Sequence, residues 1–115
     1  MAPLKESPDP ASPTWATSVD TDYLVFFASR DQEGKMWCPD CRAVEDLVKS
    51  TFEPPGTPSA TIVWVGQRSD WKTPAAPFRA EPWNVRSVPT IIRRRDGARL
   101  VDDEIVERLQ EWLSE

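Results

Sequence analysis

The sequence predicts an α/β fold in which helices flank a central mixed β-sheet. Three observations carry that expectation. Tyr23-Leu24-Val25-Phe26-Phe27-Ala28 and Thr61-Ile62-Val63-Trp64-Val65 are continuous apolar runs, the pattern of strands buried on both faces near the centre of a parallel sheet. Between them Cys41, Val44, Leu47, Val48 and Phe52 recur at helical spacing, as an amphipathic helix requires. Beyond them, Asp96-Gly97 reads as a tight turn joining two antiparallel strands over residues 88–94 and 98–101.

Taken in order, residues 1–18 hold four prolines among Ser, Asp, Thr and Ala. This is too little apolar surface to offset the entropy of ordering, so they read as a flexible tail ahead of a domain over residues 19–115, with Trp15 placed to pin the tail's end. The first helix is expected from Pro39 to Phe52, supported by the Glu45/Lys49 pair and stopped before Pro54-Pro55-Gly56. Strand, helix and strand form a right-handed crossover. Residues 66–83 are irregular, with a short helix around 75–80. A last helix carries Ile105, Leu109, Trp112 and Leu113 on one stripe, with Asp102 or Asp103 as its cap.

A chain of 115 residues holds one domain and one core of modest size. The net charge of -5 argues against nonspecific nucleic-acid binding. Arg93-Arg94-Arg95 accordingly reads as the solvated side and end of a strand, with docking of an acidic partner as the alternative. No run approaches the ~20 apolar residues of a membrane span, and the N-terminal stretch shows no secretory pattern. The expected location is the cytoplasm, where reducing conditions favour a catalytic over a structural role for a pair of cysteines.

The only two cysteines stand in Trp37-Cys38-Pro39-Asp40-Cys41. If Cys38 opens the helix, Cys41 sits one turn further on, and both sulfurs can act on one substrate. The helix N-terminus stabilises a thiolate on the first sulfur, and Pro39 suits the first turn, where its missing N–H costs nothing. A structural disulfide competes, though so short a loop removes little unfolded-state entropy. A metal site competes too, but two Cys and no His fall short of the usual zinc ligand set.

The element order, the CxxC at a helix start and Ser87-Val88-Pro89-Thr90 ahead of a hairpin resemble the thioredoxin fold. The details resemble its thioredoxin-like Clot branch: Gly34-Lys35 before Trp37-Cys38-Pro39-Asp40-Cys41, Val65-Gly66 leading to Trp71-Lys72, then Pro74, Phe78-Arg79 and Val88-Pro89-Thr90. The chain departs from that pattern at Arg42, where relatives carry Val, and in lacking a helix-kinking proline after Cys41. Relatives also begin with a strand and a long helix; the residues before Tyr23 are too proline-rich for that helix, so the first βα unit is expected to be shortened or missing.

The resemblance implies a thiol-disulfide oxidoreductase acting on small or selected disulfides such as cystine. It would bind no cofactor or metal and receive NADPH electrons through thioredoxin reductase. Cys38 would be the nucleophile and the more exposed sulfur, and Cys41 would resolve the mixed disulfide. Lys35 would assist Cys38 if the loop over 29–36 folds back. Thioredoxins keep a buried acid on the strand entering the site, where this chain has Val25-Phe26-Phe27; proton transfer is then left to Asp40 or water. Trp37 would cover the dithiol. Pro89 would follow a cis bond and turn the Val88 backbone toward the dithiol to pair with substrate, and Trp71 and Lys72 would frame the site. The reading from a different class is a redox-sensing or interaction module with a vestigial site.

Overall fold

The computed structural model describes residues 4–8, 12, 15–16, 18–73 and 75–114. Five strands form one mixed sheet in the order β1-β3-β2-β4-β5, comprising β1 (Leu4–Glu6), β2 (Tyr23–Phe27), β3 (Ala60–Trp64), β4 (Thr90–Arg93) and β5 (Arg99–Val101). The helices are α1 (Pro39–Phe52), α2 (Arg68–Trp71) and α3 (Asp103–Leu113), with a 3₁₀ turn over Pro77–Arg79. Pro74 lies outside the described residues.

β2 is the central strand, and all five of its residues are buried. It pairs in parallel with β3, Val25 opposite Ile62, and antiparallel with β4, Val25 opposite Ile91. Successive side chains of a strand point to opposite faces, and the aromatic contacts show what covers each. Tyr23 packs 5.5 Å from Phe52 of α1 and 5.4 Å from Trp112 of α3. Phe26 packs 5.4 Å from Phe78 of the 3₁₀ turn, which in turn lies 5.2 Å from Trp83. Two helices thus cover one face, and the long β3–β4 connection covers the other.

Several elements differ from the sequence expectation. The segment read as a tail contributes β1, which runs parallel to β3 at the sheet edge with Leu4 opposite Ala60. Ser7 secures it: its N–H donates to the Ile62 carbonyl at 2.8 Å, and its hydroxyl accepts the Trp64 N–H at 3.0 Å. Trp15 packs against the core and Ala16 is buried. The first βα unit is therefore shortened rather than lost, and a three-residue strand closes an edge that would otherwise be bare.

Arg93 is a second correction, being buried rather than solvated. Its guanidinium bonds Asp96 at 3.0 to 3.2 Å, donates to the Trp112 carbonyl at 3.2 Å and lies 4.9 Å over the Trp112 ring. The physical reason is the C-terminus of α3, whose unpaired carbonyls and negative dipole end attract a cation. Arg94 is exposed, and its guanidinium donates to the Thr21 carbonyl at 2.9 Å.

The cap of α3 is the third. Asp102 occupies the N-cap position without capping through its side chain. It holds φ 52° and ψ -119°, a region that favours glycine and costs an aspartate about 1–3 kcal/mol. Its carboxylate accepts the Ser87 hydroxyl at 3.1 Å instead.

Candidate functional site

The dithiol sits where the carboxyl end of β2 meets the start of α1. Cys38 is the N-cap of α1, in extended conformation, with Pro39 and Asp40 in the first turn. The helix then follows the predicted span because Cys41, Val44, Val48 and Phe52 bury one stripe of it. The preceding loop is folded on itself: the Asp31 carboxylate accepts the N–H groups of Glu33 and Lys35 at 2.8 and 3.1 Å, and Gly34 makes the turn at φ 81°. Arg30 ties this loop to α1 through Glu45, which also pairs with Lys49 at 3.3 Å. Burial alone would raise the Glu45 carboxyl, but the two cations hold it below its usual range. Lys35 is exposed at the loop tip.

Both cysteines are free thiols. Cys38 keeps 8% exposure, and its Sγ donates to the Val88 carbonyl at 3.5 Å, whereas Cys41 is fully buried and its Sγ accepts the Ala28 N–H at 3.5 Å. Burial pushes the Cys41 thiol far up, the Ala28 bond recovers part of that, and Cys38 and Asp40 add to the rise. Asp40 is exposed, and its charge opposes ionisation of Cys41. A thiol held protonated when folded and free to ionise when unfolded makes stability fall as pH rises past the ordinary thiol pKa of about 8.5, by up to about 1.4 kcal/mol per pH unit, until the native value is passed. Denaturant titrations in reductant at pH 8 and pH 10 are expected to show the wild type losing about 2 kcal/mol more than Cys41→Ser. Equal losses would mean that Cys41 ionises as readily folded as unfolded.

Trp37 is half-buried and clamped beside the dithiol. Its Nε1 donates to the Gly66 carbonyl at 2.8 Å, the Arg68 guanidinium lies 5.2 Å over its ring, and Arg68 Nη2 donates to the Trp37 carbonyl at 3.3 Å. Gly66 has φ 101°, and a Cβ there would meet the Asp70 Cβ at 2.9 Å, so the strand end requires glycine. Arg42 donates to the Met36 carbonyl at 2.6 Å. Arg42 and Arg68 thus fix the carbonyls of the two residues before Cys38, roles that neither residue's sequence context signals.

The wall against Cys38 is the segment entering β4. The Val88–Pro89 bond is cis, and both residues are buried. The Glu81–Pro82 bond is cis as well. The Thr90 hydroxyl donates to the Ser87 carbonyl at 2.7 Å, and the Asp102 N–H donates to the Pro89 carbonyl at 2.9 Å. Burial raises the Asp102 carboxyl above its ordinary range; the Ser87 bond opposes that, and Asp40, Asp103 and Glu104 reinforce it. Trp71 is 2% exposed, with Arg79 stacked 4.2 Å over it, so it supports the loop from within; Lys72 beside it is exposed. The structure thus brings Trp37, Cys38, Cys41 and Val88 together and leaves Trp71 beneath the surface.

Comparison with known proteins matches residues 8–113 to the thioredoxin domain of thioredoxin domain-containing protein 17-like proteins. The thioredoxin-like protein Clot of Oryza sativa subsp. japonica is 37% identical over 91 residues, covering 70% of this chain and 66% of the relative. The protein of the same name from Arabidopsis thaliana is 33% identical over 75 residues, covering 63% and 56%. Thioredoxin domain-containing protein 17 of Homo sapiens is 32% identical over 88 residues, covering 76% and 71%. The chain spans less than two thirds of the length of the two plant relatives.

Proposed function

Because the chain belongs to the thioredoxin domain-containing protein 17-like family of thioredoxin domains, we propose that it is a thiol-disulfide oxidoreductase working through Cys38 and Cys41. One observation carries the reading: a thiol at a helix N-cap, at the edge of solvent and against the Val88 carbonyl, stands one turn before a second thiol that is sealed from water. That asymmetry separates the two half-reactions. The Cys38 thiolate attacks one sulfur of a substrate disulfide and expels the other as a thiolate, which takes up a proton. Cys41 then attacks the Cys38 sulfur of the mixed disulfide, releases the second substrate thiol and leaves the Cys38–Cys41 disulfide. Two electrons pass to substrate, and NADPH restores them through thioredoxin reductase.

Trp37 and the Val88-Pro89 backbone bind the substrate chain on either side of Cys38, and exposed Lys72 frames the approach. The buried Cys41 must lose its proton in the second step. With Val25, Phe26 and Phe27 apolar beneath it, Asp40 or a water brought in with substrate is the acceptor. We assign the chain to the cytoplasm on its cysteine usage; no helix among the described residues is long and apolar enough to cross a membrane.

The test is NADPH oxidation coupled through thioredoxin reductase, with cystine as substrate. Turnover proportional to the concentration of this chain is the expected result. No turnover, with Cys38 open to alkylation, would overturn the reductase and favour the sensing module.

A further inference from the structure

We infer that Asp102 is a positioning residue that fixes the backbone of Val88, in the segment against which a substrate chain pairs, and that its strained turn is maintained by that grip. The inference rests on the reductase reading. Three consecutive carbonyls on this wall each accept a different donor: Ser87 from the Thr90 hydroxyl at 2.7 Å, Val88 from the Cys38 thiol at 3.5 Å, and Pro89 from the Asp102 N–H at 2.9 Å. Asp102 also accepts the Ser87 hydroxyl at 3.1 Å, so it holds the chain on both sides of Val88, once with its backbone and once with its carboxylate.

Two features show that this grip is not incidental to the helix that follows. Asp102 adopts φ 52° and ψ -119°, where glycine is favoured and any other residue is strained. It also stands at an N-cap without performing the capping that usually explains aspartate there. A glycine would retain the N–H bond to Pro89 and relieve the turn, but it would release Ser87. The carboxylate is therefore what the strain accompanies, and rule-breaking residues of this kind concentrate at functional sites.

The experiment compares a peptide disulfide, whose backbone can pair with Val88, against cystine, which presents no extended strand, using wild type, Asp102→Gly, Asp102→Asn and Ser87→Ala in the coupled assay. Asp102→Gly is expected to raise the thermal midpoint yet raise KM for the peptide disulfide about 5-fold, the loss of one ordering hydrogen bond, with cystine turnover changed less than 2-fold. Ser87→Ala is expected to reproduce the kinetic loss without the stabilisation. Asp102→Asn, which keeps an acceptor oxygen for Ser87, is expected to restore most of the affinity. Equal losses with both substrates, or losses that track the thermal midpoint, would overturn the positioning role. An active wild type with all variants unchanged sinks this inference alone, whereas a wild type inert toward both substrates sinks the reductase reading and the inference with it.

Discussion

Cys38→Ser is expected to lower disulfide reduction by about a thousandfold or more, as loss of a covalent nucleophile does, while leaving the fold intact. Cys38 is an N-cap position, where serine is among the favoured residues, and its hydrogen bond to the Val88 carbonyl, at 3.5 Å, is one that a serine hydroxyl can also donate. Cys41 cannot take its place: it has no exposed surface, and burial keeps its thiol protonated far above neutral pH. The partner variant separates the steps. Cys41→Ser retains the attacking sulfur and loses the resolving one, so a single round of attack should stop at a covalent adduct between Cys38 and half of the substrate. Intact-mass measurement after mixing Cys41→Ser with a peptide disulfide should show that adduct, released by dithiothreitol. Retained turnover in Cys38→Ser, or an adduct that forms on Cys41 in Cys38→Ser but not on Cys38 in Cys41→Ser, would reverse the assigned order.

The elements legible in the sequence are those whose signals are local. Helix α1 follows its predicted span because its stripe and its starting proline lie within the element and Pro54-Pro55 stand just past its end. The strands β2 and β3 announce themselves as unbroken apolar runs. What the sequence conceals is decided by partners far along the chain. β1 is Leu-Lys-Glu, with one apolar residue, and it is a strand because β3, more than 50 residues later, offers it an edge. Arg93 sits in a basic run that reads as solvated; nearby Asp96 pairs with it, but it is the α3 terminus, 19 residues on, that receives it as a buried side chain. Asp102 has the residue type of a cap, but its backbone angles and its Ser87 bond leave no trace in composition. The site divides the same way. The CxxC and its proline are contiguous, whereas the Arg68 stack on Trp37 spans 31 residues and the Asp102 grip on Ser87 spans 15.

Trp112→Ala is expected to destabilise the chain by about 3–5 kcal/mol, a large part of the 5–15 kcal/mol that a domain of this size commands, and to lower the thermal midpoint by about 15 °C. Trp112 is 2% exposed and is where α3 meets the sheet, edge-on to Tyr23 at 5.4 Å and under the Arg93 guanidinium at 4.9 Å. Truncation removes the apolar burial of the indole and both ring contacts at once, and leaves Arg93 above a cavity. The loss should reach the site, because the Asp102 turn at the head of the same helix holds the Pro89 carbonyl. Val106, on the same helix at 62% exposure, supplies the contrast: Val106→Ala should change stability by less than about 0.5 kcal/mol. Urea denaturation of the two variants distinguishes docking of α3 from its mere presence. If Trp112→Ala cost no more than Val106→Ala, the helix would not be held by the sheet, and a head-to-tail link from its C-terminus to the Val88 wall would have no mechanical basis.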